Sequence, residues 1–175
     1  MIIPLSVKVF SHDSSAGEFF SSPEDAYNKN ADNENAALYS ILDHLEEFRS
    51  FDGKFRFKLC YPFVRDECNQ DEGECVTEEK CNEWIQKSNP AEEFKIEGFE
   101  PISLVYKENS KNEHWAGLGK NVVGGPSLID DTPDSSSVHW YSAIGAYKSW
   151  MSPTTFPGPR PLAVYKVQLF VKKVE

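Results

Sequence analysis

Lys54-Phe-Arg-Phe-Lys-Leu-Cys-Tyr61 alternates strictly between polar and apolar residues, and that period of two decides the fold class. Phe55, Phe57, Leu59 and Tyr61 fall on one face of a strand and Lys54, Arg56 and Lys58 on the other, the pattern of a strand half buried against a core. Outward from it, further strands are expected at Val7 to Phe10, Ile102 to Tyr106, Ser127 to Ile129, Val138 to Tyr141 and Ala163 to Val171. Two short helices are expected near the N-terminus. The first starts at Ser22 as N-cap, with Pro23 in the first helical position and Glu24 and Asp25 in the first turn. The second covers residues 35–49, capped by Asn35, because Leu38, Ile41, Leu42, Leu45 and Phe48 recur at three and four residues. It sends Asp43, His44, Glu46 and Glu47 to water. The expected fold is therefore mainly β to α+β: an antiparallel β-rich single domain over residues 1–175, with two short N-terminal helices, stabilised by disulfides.

The cysteines Cys60, Cys68, Cys75 and Cys81 all lie in one stretch. An even number packed so closely reads as two disulfides formed in an oxidising compartment. Three connectivities are open; the nested one, Cys60 to Cys81 outside Cys68 to Cys75, is favoured, since the polar segment between them is too hydrophilic to be held by burial. Zinc is disfavoured, because no closely spaced cysteine pair and no histidine occurs in this stretch.

Twenty-eight acidic residues against 18 basic give a formal charge of −10, which repels phosphate backbones and anionic headgroups. Nucleic acid is not an expected partner, and no apolar run approaches the ~20 residues that span a bilayer. The N-terminal residues lack the basic start, apolar run and cleavage site of an intact signal peptide, so the chain is expected to begin near a mature end. No catalytic motif of nucleophile, metalloprotease or nucleotide-binding type occurs, so the chain is expected not to be an enzyme. In His12-Asp13 the aspartate is expected to bond its own backbone in a turn.

Two clusters concentrate oxygen ligands. Leu128-Ile-Asp130-Asp131 leaves an apolar strand for a Pro-containing loop, where carboxylates and free carbonyls can converge on a hard cation such as calcium. Asn82-Glu-Trp-Ile-Gln-Lys-Ser-Asn-Pro90 packs carboxylate, amides and an indole into nine residues, the types that bond sugar hydroxyls and cover a sugar face. The plainer alternatives are that Asp130 and Asp131 cap a turn, that Trp84 and Ile85 are core, and that Asn89 forms a turn. Trp150, ahead of a Pro-rich loop, is a further stacking candidate.

Lys58-Leu-Cys-Tyr-Pro62, Cys81 to Pro90, Leu128 to Asp131, Trp140 to Gly145 and Phe156-Pro-Gly-Pro159 together resemble a secreted cnidarian module. His12 to Gly17 and Ser40-Ile-Leu-Asp43 fit it too, so the likeness runs over residues 7–175. It is similar to the galactose-specific, calcium-dependent lectins of sea anemones. What the resemblance implies is a secreted homodimer that recognises terminal galactose on glycans, with sugar hydroxyls completing the coordination of a calcium ion. Cys68 and Cys75 depart from the commoner pattern, which has the pair matching Cys60 and Cys81. The site expected from chemistry takes Asp130, Asp131 and Asn82 as metal ligands and Glu83, Gln86, Asn89 and Trp140 as sugar contacts. The alternative is an adhesion, matrix or biomineral module that binds calcium without sugar; a metal-dependent hydrolase is the least favoured.

Overall fold

A computed structural model describes residues 5–65, 77–104, 115–120, 127–128, 143–145 and 166–174. Seven strands form one antiparallel sheet: β1 (Ser6–Asp13), β2 (Asn28–Lys29), β3 (Leu38–Ile41), β4 (Phe55–Arg65), β5 (Thr77–Gln86), β6 (Glu100–Leu104) and β10 (Lys166–Lys172). Their spatial order is β2-β3-β1-β10-β4-β5-β6, so β10 enters the middle of the sheet between the first strand and β4. Three two-residue strands, β7 (Gly119–Lys120), β8 (Ser127–Leu128) and β9 (Ala143–Ile144), make a second sheet that is parallel.

The alternation of the quoted stretch appears as expected. Phe55, Phe57, Leu59 and Tyr61 are each at most 2% exposed, and Arg56 and Lys58 face the other way. Val167, Leu169 and Val171 of β10 and Phe10 and His12 of β1 share their face, as does Trp84 of β5. Phe55 and Phe57 stack at 5.5 Å between ring centroids, and Phe57 meets Trp84 at 5.3 Å. Full burial of each such side chain is worth roughly 1.5–3 kcal/mol, so this strip is the energetic centre of the fold.

The two expected helices are corrected. From Ser22 the chain makes a turn and no helix: Ser22 Oγ does accept from Asp25 N at 3.2 Å, but after Ala26 N to Pro23 O and Tyr27 N to Glu24 O the chain enters β2. Residues 35–49 divide into β3 and a 3-10 helix, Leu42–Phe48. The physical reason lies in the spacing. Leu42, Leu45 and Phe48 recur at three residues, which aligns side chains in a 3-10 helix of three residues per turn, whereas Leu38 sits opposite His12 in a strand pair. Ser40, fully buried, keeps this junction in place by donating Oγ–H to Ala26 O at 2.7 Å and accepting from Leu42 N at 3.3 Å. Asp43, Glu46 and His44 lie toward water with Glu47, as their polarity requires.

One disulfide is present among the described residues, Cys60 to Cys81, joining residues directly opposite in the β4–β5 ladder with Cα atoms 4.1 Å apart. Cys68 and Cys75 lie outside the described residues. No helix among the described residues is long and apolar enough to cross a membrane.

Candidate functional site

The polar segment from Asn82 to Asn89 begins as a strand, and the strand's period sorts its side chains. Asn82, Trp84 and Gln86 turn to the core face and are 0% exposed; Glu83 and Ile85 turn to the opposite face. Glu83 stands across from Lys58, with Lys58 Nζ 3.6 Å from its Oε1. Glu83 and Gln86 therefore point to opposite sides of a sheet and do not converge on one ligand.

Gln86 has a different task. Its Oε1 accepts from Trp84 Nε1 at 2.8 Å and from Leu118 N at 3.0 Å, while Nε2 donates to Leu118 O at 2.9 Å and Ser88 O at 2.8 Å. One amide thus satisfies four buried polar groups and ties the chain at Leu118 to the end of β5. Leaving such groups unpaired costs about 1–3 kcal/mol each. The neighbouring backbone comes so close that a Cβ at Gly117, where φ is 96°, would lie 2.8 Å from Gln86 Oε1, so glycine is required there for both space and conformation. Trp115 packs edge-on against Trp84 at 5.1 Å, and both rings are core.

Asn89, 1% exposed, forms a turn: Oδ1 accepts from Ala91 N at 2.9 Å and Nδ2 donates to Glu46 at 3.1 Å. Glu46 also pairs with Arg49, whose hydrogen bond keeps that carboxyl below the usual range. Arg49 in turn donates Nη1–H to the carbonyls of Gly53 and Lys87 and lies over the Phe55 ring at 4.2 Å. The expected direct sugar contacts Gln86 and Asn89 are thus buried and occupied within the protein, which assigns them to scaffolding. Residue type alone groups them with ligand-binding side chains; the signal that separates them is the odd and even numbering of the strand over residues 77–86, which is too polar on both faces to stand out as a strand in the sequence.

What this scaffold supports is the small parallel sheet. Leu118, fixed by Gln86, is followed by β7, whose Lys120 N donates to Glu93 O at 2.9 Å. β8 pairs with β7 on one side and β9 on the other, and Ile144 of β9 is buried in the main core. Asp130, Asp131 and Trp140 lie outside the described residues, as does Trp150; Asp130 follows the last residue of β8 by two positions.

Two further groups carry chemistry-bearing side chains. Sγ of Cys60 and Cys81 and a carboxylate oxygen of Glu79 lie within 4.8 Å of one another, but sulfurs joined in a disulfide are not thiolate ligands. His12 is fully buried beside Phe20, 4.9 Å between centroids, and burial pushes its pKa down to about 3, so it is a neutral core residue at physiological pH. Next to it, Asp13 Oδ1 accepts from Ser15 N at 3.0 Å, the turn expected of it.

No protein-family model, no curated protein and no solved structure matches this chain.

Proposed function

We propose that the chain is a calcium-dependent carbohydrate-binding module that works outside the cell and recognises terminal galactose, with no catalytic step. In this reading Asp130 and Asp131 supply carboxylates to calcium, Trp140 walls the sugar, and two vicinal hydroxyls fill the remaining positions of a six-to-eight-oxygen shell. Gln86 and Asn89 serve it by support, and Glu83, paired with Lys58 on the far face, takes no part.

The observation that carries the reading is how the Cys81–Pro90 segment is used. The side chains that give this stretch its resemblance to the lectins fix Leu118 and, through it, the start of the parallel sheet. Because β7, β8 and β9 run the same way, their C-terminal ends share one edge, and the chain leaves β8 toward Asp130 from that edge. Ligand groups carried on loops from a rigid sheet edge are a common binding arrangement. The Cys60–Cys81 disulfide agrees with an extracellular setting.

Calorimetric titration with galactose, glucose and mannose, with and without calcium, tests it. Galactose binding that a chelator abolishes is expected, together with loss of both sugar and calcium affinity in Asp131→Asn. Calcium uptake without any sugar would select the matrix or adhesion reading instead. Two paired copies would raise the avidity of a weak site for clustered glycans.

A further inference from the structure

Strand pairing builds a cluster of metal-ligating side chains away from the proposed sugar site. Cys60 and Cys81 are 21 residues apart in sequence, too far to read as a ligand pair, yet the β4–β5 register sets them directly opposite with Cα atoms 4.1 Å apart. Both fall on the face away from the aromatic strip, Cys60 with Arg56 and Lys58, and Cys81 with Glu83 and Ile85. Glu79 lies two residues before Cys81 and so shares that face. A carboxylate oxygen of Glu79 and the two sulfurs all lie within 4.8 Å of one another.

The ladder is irregular at this point. Between the pairs Tyr61–Lys80 and Val64–Glu78, two residues of β4, Pro62 and Phe63, stand against the single Glu79 of β5. A bulge of this kind re-aims the side chains beside it, and Pro62, with no N–H to give the ladder, suits one. Glu79 therefore has no residue directly opposite, is exposed, and carries its carboxylate to the cysteine pair.

In the oxidised chain the two sulfurs bond each other. We propose that on reduction Cys60, Cys81 and Glu79 become a site for a soft divalent cation of the zinc type. Two thiol molecules of a reductant make the change. The first, as thiolate, attacks the sulfur of half-buried Cys81, and the S–S electron pair leaves on Cys60, which takes up a proton. The second attacks the mixed disulfide, releases Cys81 as a thiol and departs joined to the first. Two electrons and two protons have then passed to the chain. Zinc displaces both protons and is held by two thiolates and one carboxylate, with the fourth tetrahedral position open to water.

The backbone need not move for this. Zn–S bonds of about 2.3 Å in a tetrahedron put the thiolates about 3.8 Å apart, a spread that rotation about the two Cα–Cβ bonds supplies. The flanking pairs Leu59–Asn82 and Tyr61–Lys80 hold the strands, and β10 beside β4 and β6 beside β5 brace them. Thiolates select zinc over calcium, so this site is chemically distinct from the oxygen site of the proposed function and does not rest on it. The same two residues cross-link β4 to β5 in either state, through sulfur when oxidised and through the metal when reduced, and oxidation expels the metal.

Cobalt titration of the full chain reduced by a phosphine tests it, cobalt standing in for zinc because its thiolate complexes absorb. The reduced chain should take up one cobalt, with a thiolate-to-metal charge-transfer band and the visible bands of a four-coordinate ion, and zinc should bleach both. The oxidised chain should show neither. Cys60→Ser/Cys81→Ser should abolish the bands, and Cys68→Ser/Cys75→Ser, which removes the other two thiols, should keep them. Glu79→Gln should weaken cobalt at least about tenfold, the loss seen even for groups that only support a ligand. Zinc should also raise the denaturation midpoint of the reduced chain, which binding to unfolded thiols would not do. A reduced chain without the bands, bands that survive loss of Cys60 and Cys81, or bands that vanish with Cys68 and Cys75 would overturn the proposal. So would unchanged affinity in Glu79→Gln, or a reduced chain whose circular dichroism is lost and does not return with zinc. Galactose and calcium titration of oxidised Glu79→Gln should match the wild type, which keeps failure of this site distinct from failure of the sugar reading.

Discussion

The two sheets differ in what holds them. The seven-stranded sheet is self-supporting: β4 and β5 pair from Phe55–Gln86 to Arg65–Thr77 and bury an aromatic strip on one face. The three-stranded sheet has two residues per strand, too few to stand alone, and depends on the Gln86 amide, the Glu93 carbonyl and burial of Leu118 and Ile144. Among the described residues one sheet carries the aromatic core, and the other hangs from it through Gln86, Leu118 and Ile144.

The largest expected effect comes from the residue common to both. Trp84→Ala removes the ring that meets Phe57 and Trp115 and the donor to Gln86, and should cost about 3–5 kcal/mol in chemical denaturation. A cost under about 1 kcal/mol would mean the two sheets are not joined there. The Cys60→Ser/Cys81→Ser pair touches the large sheet alone. With a sequence separation of 21 between the two cysteines, chain entropy gives a loss of about 3 kcal/mol, read as a lower denaturation midpoint with the slope of a single transition retained.

Gln86→Leu sharpens the comparison from the other side. It strands the Trp84 and Leu118 donors in an apolar site, at a global cost of about 2–3 kcal/mol. Its distinguishing mark is local: amide exchange of residues 115–120 should accelerate far more than that of β4 and β10. Uniform acceleration across both sheets would show that the small sheet is not a separate unit.

The gentlest probe is acid. His12 titrates near 6.5 when unfolded and at about 3 in the native state, so the unfolded chain binds more protons throughout that interval. Its contribution is complete above pH 6.5 and is lost as pH falls toward 3, at up to about 1.4 kcal/mol per pH unit. His12→Phe should flatten the stability profile between about pH 6.5 and 4.5. An unchanged slope would assign the acid sensitivity to other groups.

Much of this architecture is legible without coordinates. The alternation at 54–61 marks β4 because facing sides of a sheet differ in water exposure, while the cysteine count leaves three connectivities open, with Cys60–Cys81 in the favoured nested one, and the structure shows that pair. The helix expected at residues 35–49 does not form as one element, because a mixed three-and-four spacing cannot reveal that Leu38 pairs with β1; that preference comes from a partner strand. Gln86 and Asn89 stand out in the sequence as ligand groups and are scaffold in the fold, since an amide surrounded by other polar residues carries no mark of whether it will bond a sugar or Leu118.

Sequence by itself determined, through local forces, the β-rich class, the strands β1, β4 and β10 and the turn at Asp13. Tertiary structure decided what depends on distant residues meeting: the insertion of β10 between β1 and β4, the burial of His12, and the binding of Leu118 to Gln86 across 32 residues. The physical reason is that alternation and capping act over a few residues, whereas strand order and the partners of a buried amide are fixed only when the whole core closes.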